Sequence, residues 1–276
     1  MPQAITHTTI KRINNSTIVD AQDVLAVEEP LEIRLAYGNN DSRHIKSISV
    51  TMRTPGHDTE LAVGFLFTEG ILKSPTDTGN ITTISENIVQ VALQPGVAFD
   101  MQKLERNFYT TSSCGVCGKA SIDAVKTTCE LPDAYPYDNL SCSADTICSL
   151  PDILRTQQSV FEQTGGIHGC ALFDINGALV LMREDVGRHN ALDKLVGTAF
   201  SGGLLQLDKH ILLLSGRASF ELVQKAAMAG IKIIAAVGAP SSLAVQMAED
   251  WNMTLIGFLR GERFNIYSGA QRIKVS

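Results

Sequence analysis

A chain of 276 residues, 44% hydrophobic and 19% charged, has the balance of a folded, soluble protein with a sizeable core, not of a disordered one. Its formal net charge of -6 argues against a general nucleic-acid binder, which is usually basic, but leaves room for a local basic pocket. No apolar run approaches the roughly 20 residues that span a bilayer. The stretch from Met1 to Asp20 is polar and lacks an apolar signal core, so neither membrane insertion nor export is expected and the cytoplasm is the expected compartment.

The first lobe reads as β-rich. Leu31, Ile33, Leu35 and Tyr37 alternate with polar or small residues as in a half-buried strand, and Ile48, Val50 and Met52 alternate again. The turn residues Gly38-Asn39-Asn40-Asp41 between them suggest a hairpin. A helix is expected over 58–69, stopping at Gly70. Val89, Val91 and Leu93 mark another strand, and residues 100–108 a short helix.

Next comes Ser113-Cys114-Gly115-Val116-Cys117-Gly118, followed by a helical pattern over 119–126. A thiol at a helix N-terminus faces unpaired N–H groups and the positive end of the dipole, which favours thiolate. The other cysteines are Cys129, Cys142, Cys148 and Cys170; six in all are too few for a disulfide scaffold. Three readings of Cys114 and Cys117 compete. A structural zinc site needs four ligands, for which Cys142 and Cys148 would have to supply the rest. A nucleobase deaminase would carry Pro before the first Cys and a His-x-Glu; Ser113 takes the proline position and no His-x-Glu occurs. The third is a thiol used on sulfur, as a thiol-disulfide redox pair or a sulfur-carrying thiolate; the missing deaminase residues weaken zinc, but a zinc-binding nucleotide-binding module stays open beside it.

Residues 127–149, rich in Pro, Asp, Ser and Cys, read as a connector, with Ser149-x-x-Asp152 as a capping box opening the next helix. That helix would present Ile153, Leu154, Gln157, Val160 and Phe161 on one face and end at Gly165-Gly166. A hairpin over 170–182 follows, turning at Asn176-Gly177. An amphipathic helix is expected over 186–200. Apolar runs at 211–214, 231–237 and 253–259 alternate with helices at 220–229 and 243–250, the pattern of a parallel or mixed sheet covered on both faces. An edge strand over 264–267 closes the chain. Three units are expected: a β-rich lobe over 1–110, the cysteine loop, helix and connector over 111–149, and a nucleotide-binding α/β lobe over 150–276.

Ligands of such sheets gather beyond the carboxyl ends of the strands. Those ends are Ser215-Gly216-Arg217-Ala218-Ser219, Gly238-Ala239-Pro240-Ser241-Ser242 and Arg260-Gly261-Glu262-Arg263. Glycines for close approach, helix N-termini and the guanidinium groups of Arg217, Arg260 and Arg263 suit a phosphate-bearing ligand. His168, in Gly166-Ile167-His168, and Arg188 and His189, at a helix start, are further candidates for donating hydrogen bonds to phosphate or for acid/base work.

Taken in order, Ala62-Val63-Gly64-Phe65-Leu66-Phe67-Thr68-Glu69-Gly70-Ile71, the Cys114–Cys117 loop, Gly166-Ile167-His168, the run from Glu184 to Lys194, Ser215–Ser219 and Gly257–Arg263 resemble the FdhD/NarQ family, over about residues 28–273. The resemblance implies a sulfurtransferase and formate dehydrogenase accessory role. Sulfur would arrive from a cysteine desulfurase as a persulfide on Cys114 and pass to the molybdenum (or tungsten) bis(guanine dinucleotide) cofactor before its insertion into formate dehydrogenase. Cys117 would be a second acceptor or a resolving thiol. The cofactor-binding segment falls on Phe258, Leu259, Arg260, Gly261, Glu262 and Arg263, with Ser215, Gly216, Arg217, His168, Arg188 and His189 as the rest of the proposed site. The cofactor would be held as a substrate with GDP-like moieties, with no permanently bound metal. The resemblance further implies a cytidine-deaminase-like α/β architecture and a homodimer. Cys129, Cys142, Cys148 and Cys170 lie outside the family's motif.

Overall fold

The computed structural model describes residues 3–39, 42–97 and 140–275. The helices expected over 100–108 and 119–126, the loop with Cys114 and Cys117, and Cys129 lie outside the described residues.

The chain opens with an antiparallel ribbon, β1 (Ile5–Asn14) and β2 (Thr17–Ala26), turned by Asn15 and Ser16 at positive φ. Its largely polar residues gave the sequence no strand-like alternation. β3 (Glu29–Tyr37) and β4 (His44–Arg53) form the expected hairpin, and α1 (Asp58–Thr68) follows. β5 (Thr78–Ser85) and β6 (Ile88–Leu93) complete a four-stranded sheet in the order β4-β3-β6-β5. Six of the eight β5 residues are exposed, so no periodicity announced this edge strand.

The second part begins with β7 (Cys142–Ser143), which pairs in parallel with β14 (Ile273–Lys274). α2 (Ala144–Gln157) starts five residues before the expected capping box. Ser143 is its N-cap, accepting the Thr146 N–H at 3.0 Å, whereas Ser149 sits inside the helix and donates to the Thr146 carbonyl at 2.8 Å. Ser143 offers the same capping chemistry, and its neighbour Cys142 is anchored in the core, so the earlier start wins. The expected continuous helix also breaks at Gln158, giving a separate α3 (Ser159–Thr164).

From β8 (His168–Asp174) onward the elements follow the sequence reading: β9 (Leu179–Asp185), α4 (Arg188–Ser201), β10 (His210–Leu214), α5 (Phe220–Met228), β11 (Ile233–Ala236), α6 (Ser242–Asp250), β12 (Thr254–Arg260) and β13 (Arg263–Ser268). The six-stranded sheet runs β13-β12-β11-β10-β8-β9. It is mixed: β10, β11 and β12 are parallel, while β8 and the edge strand β13 are antiparallel to their neighbours.

Strand alternation divides the core. Cys170, Leu172, Leu212, Leu214, Ile234, Ala236 and Leu255 face one side, joining Leu192, Leu195, Val196, Leu222 and Val223 of the helices and Leu31, Ile33, Val89 and Val91 of the four-stranded sheet. Ala171, Phe173, Ile211, Leu213, Ile233, Ala235 and Ile256 face the other, beneath Ile147, Leu150 and Leu154 of α2. The layers are therefore sheet, helices, sheet, helix, and the first core cluster is continuous from one sheet to the other. α1 and α4 cross at glycine: a Cβ on Gly64 would lie 1.8 Å from the Asp193 carbonyl oxygen, and one on Gly197 would lie 1.9 Å from that of Glu60.

Candidate functional site: the carboxyl edge of the six-stranded sheet

The topology gathers motifs that are far apart in sequence. β9 is antiparallel to β8, which is antiparallel to β10, so β9 points the same way as β10, β11 and β12. All four end at one edge, and β8 begins there with His168. The N-termini of α4, α5 and α6 open from that edge. Two sets of residues that the sequence left separate, the His168–Arg188–His189 group and the strand-end loops, thus share one margin.

The loops are stitched together by backbone. Gly238 N–H donates to Gly216 O at 2.9 Å, Ser241 N–H to Ala218 O at 3.0 Å, and Phe258 N–H to Gly238 O at 3.1 Å. Ser215 N–H donates to Gly169 O at 3.0 Å, and its Oγ accepts from Gly169 N–H at 2.9 Å, tying β8 to the end of β10. Backbone leaves no room for a side chain at Gly238, where a Cβ would approach Arg217 N to 2.9 Å, and a Cβ on Gly216 would lie 3.3 Å from His168 Nδ1.

Burial first, then the Arg188 guanidinium, lowers the His168 pKa from its ordinary value, so the neutral imidazole is favoured. Arg188 Nε is buried and without a hydrogen-bond partner among the described residues. His189 Nε2 lies 3.3 Å from Ser219 Oγ and 3.8 Å from Glu221 Oε2, at the start of α5. Sequence reasoning missed Glu221, because an acidic residue in a first helical turn reads as an ordinary dipole complement.

Arg217 is exposed on the loop after β10. Arg260 and Arg263 are opposite each other across the β12–β13 hairpin, both exposed. β12 continues past Gly257 through Phe258 and Leu259 to Arg260. Phe258, exposed and at φ 53, and the buried Leu259 lead into that extension, with Gly261 and Glu262 at its tip. The Cys148 thiol on α2 is pushed up by burial, then by the carboxylates of Asp145 and Glu262, which places the hairpin tip near α2. Cys142 is pushed up to about 11 by burial.

The rest of the run from Glu184 to Lys194 holds the fold. Lys194 Nζ bonds Asp185 at 2.7 Å and the Thr54 carbonyl at 2.7 Å, while Thr54 N–H donates to Asp185 at 3.1 Å. Asn190 donates to Met52 O at 2.7 Å. Asp193 accepts from Lys225 Nζ at 3.0 Å and from Thr68 Oγ1 at 2.8 Å. Glu184 accepts the Val160 and Phe161 N–H groups at the start of α3.

The FdhD/NarQ family model matches residues 26–274. The chain belongs to the FdhD/NarQ family. The match spans every element from β3 to β14 and leaves out β1 and all of β2 but its last residue. Among family members, the chain is 50% identical over 273 residues to the sulfur carrier protein FdhD of Streptomyces coelicolor, covering 95% of this chain and 93% of that protein. It is 46% identical over 285 residues to the sulfur carrier protein FdhD of Mycobacterium tuberculosis, covering 99% and 100%. A solved structure of a candidate formate dehydrogenase accessory protein from Desulfotalea psychrophila superposes with a TM-score of 0.75 at 25% identity, covering 99% of this chain and 100% of that one. Among the described residues, no helix is long and apolar enough to cross a membrane.

Proposed function

We propose that this chain is a sulfur carrier that serves formate dehydrogenase: a sulfurtransferase that takes sulfur from a cysteine desulfurase and delivers it to a molybdenum bis(guanine dinucleotide) cofactor. The observation that carries this reading is family membership with near full-length sulfur carriers, together with a sheet edge suited to a phosphate-bearing ligand. The Cys114 thiolate attacks the terminal sulfur of the desulfurase persulfide, the desulfurase thiolate leaves, and a persulfide forms on Cys114. Cys117 then attacks the inner sulfur of that persulfide. A Cys114–Cys117 disulfide forms and hydrosulfide leaves for the cofactor, the two electrons coming from the thiols; a cellular dithiol reductant restores the pair.

The cofactor is the substrate of this transfer. Ser215, Gly216 and Arg217, with His168, Arg188 and His189, would hold its phosphates at the helix N-termini, and the segment from Phe258 to Arg263 would hold a GDP-like moiety. The wider reading includes a cytidine-deaminase-like architecture, a homodimer and a cytoplasmic location.

The test is intact mass after incubation with desulfurase and cysteine. A gain of about 32 Da, the mass of one sulfur atom, is expected on Cys117→Ala, where no second thiol discharges the persulfide, and not on Cys114→Ala. No adduct on Cys117→Ala overturns the reading.

A further inference from the structure

The start of α4, which carries Arg188 and His189, is not held by a cap of its own. Its N-cap is Gly187, which has no side chain to accept from the first turn. At α2 and α6 a serine does this, Ser143 for the Thr146 N–H and Ser241 for the Ala244 N–H. The turn before α4 is gripped from behind instead. Thr54, buried in the loop between β4 and α1, commits its N–H, carbonyl and hydroxyl oxygen to the segment from Asp185 to Lys194. Its N–H donates to Asp185 Oδ2 at 3.1 Å, its carbonyl accepts from Lys194 Nζ at 2.7 Å, and its Oγ1 accepts from the Val186 N–H at 3.1 Å. Asp185, wholly buried, passes the grip on: its Oδ1 accepts from the Gly187 N–H at 2.8 Å and from Asn190 Nδ2 at 3.2 Å. Asn190 in turn donates to the Met52 carbonyl at 2.7 Å and accepts from Thr51 Oγ1 at 3.0 Å. Pro55 follows Thr54 and disfavours helical backbone there, which stiffens the anchor.

We infer that Thr54 is a positioning residue for the sheet-edge site: its hydroxyl oxygen holds the Val186 N–H and, through that turn, the start of α4 with Arg188 and His189. Of the bonds that Thr54 makes to this segment, the one to Val186 alone depends on its side chain. Valine fills the same space but offers no acceptor, so Thr54→Val takes away one hydrogen bond while the backbone bonds to Asp185 and Lys194 can remain. The Val186 N–H is then left without a partner in a half-buried turn, and the turn gains by moving toward water. Arg188 and His189 follow directly on that turn, so they move with it. Thr54 itself belongs to the four-stranded sheet's side of the molecule, which gives that side a part in shaping the ligand edge of the other. The ligand half of this inference rests on the proposed phosphate-binding role of Arg188 and His189; the half that concerns the start of α4 does not.

Two measurements on the whole protein separate the halves. Amide hydrogen exchange without ligand reads the first. The Ala191 N–H closes the first turn of α4 on the Gly187 carbonyl at 2.9 Å and does not touch Thr54. In Thr54→Val its exchange is expected to quicken about three- to tenfold, the scale of one hydrogen bond, along with that of Val186. Val196, further along α4, is expected to keep its rate, and Thr54→Ser, which retains the hydroxyl, to restore both others. An unchanged Ala191 in Thr54→Val, or an equal rise at Val196, overturns the inference, since the first means no hold on the helix start and the second only a general loss of stability. Should Thr54→Val fail to fold, Thr54→Cys, a weaker acceptor of similar size, gives the same comparison with a smaller rise expected; no rise counts against the anchor. Calorimetric titration with GDP reads the second half. Binding about three- to tenfold weaker is expected in Thr54→Val, with recovery in Thr54→Ser. Unchanged affinity beside a loosened helix start overturns the link from Thr54 to the site. No binding of GDP to wild type overturns the proposed ligand, and the anchoring of α4 then stands or falls on the exchange rates.

Discussion

Lys225 is buried on α5, where an ammonium group is costly unless fully partnered. Its Nζ reaches Thr68, Glu69 and both oxygens of Asp193 within 2.8–3.1 Å. Burial pushes its pKa down, but the carboxylates of Asp193 and Glu69 outweigh that and hold it above the ordinary lysine value. A group with a raised folded pKa contributes stability that is present below its unfolded pKa and is lost as pH rises through the folded one. Lys225→Met removes the charge and strands Asp193, so a loss of about 3–5 kcal/mol is expected in urea unfolding. Glu60 shows the opposite sign. The His57 ring, whose Nδ1 is 3.2 Å away, takes the lead in lowering its carboxyl to about 2. Its contribution is complete above the unfolded value of about 4.3 and fades as pH falls toward 2. His57 lies at φ 58, so His57→Gly removes the ring without backbone strain. The variant should show a smaller drop in urea midpoint between about pH 5 and pH 2 than wild type does.

At the scale of elements, the crossing of α1 over α4 depends on two missing side chains. Backbone carbonyl oxygens fill the space where the Cβ atoms of Gly64 and Gly197 would be. Backbone cannot swing aside as a side-chain end can, so Gly197→Ala should cost more than the about 1–3 kcal/mol typical of overpacking. A thermal melt checks this; an unchanged midpoint would mean the helices can separate freely. These elements also show what the sequence made legible. The runs Ile211–Leu214 and Ile233–Ala236 announced central strands because burial on both faces leaves no polar residue to confuse the pattern. β1, β2 and β5 were hidden because exposed strands lack an apolar face to reveal their period. The start of α2 was misread because Ser143 and Ser149 are equally good caps, and only the pairing of β7 with β14 decides between them. In the site, glycine and arginine at strand ends were readable. Glu221 was not, nor were Asp193 and Lys194 as a buried network, since the period of a helix does not tell a paired buried charge from a solvated one.

At the scale of the molecule, the edge of the six-stranded sheet collects residues from β8 to the β12–β13 hairpin, so a ligand held there touches segments almost a hundred residues apart. A ligand that binds only the native state stabilises it, by about 2.7 kcal/mol at a hundred times its dissociation constant. Millimolar GDP is expected to raise the melting temperature, with less effect in Arg263→Ala; equal shifts in the two proteins would remove the hairpin from the site.

The continuity of the larger core has a consequence for how the chain can be divided. Leu31, Ile33 and Val91 on one side and Leu192, Val196 and Val223 on the other belong to a single cluster, and the buried bonds from Thr54 to Lys194 and from Thr68 to Lys225 run between the same two parts. Each part carries half of a matched surface. Residues 1–97 and 140–276, produced as separate polypeptides, should therefore be insoluble alone and copurify when made together. The seam between them behaves as a template for reassembly, which makes the fold a natural substrate for fragment complementation.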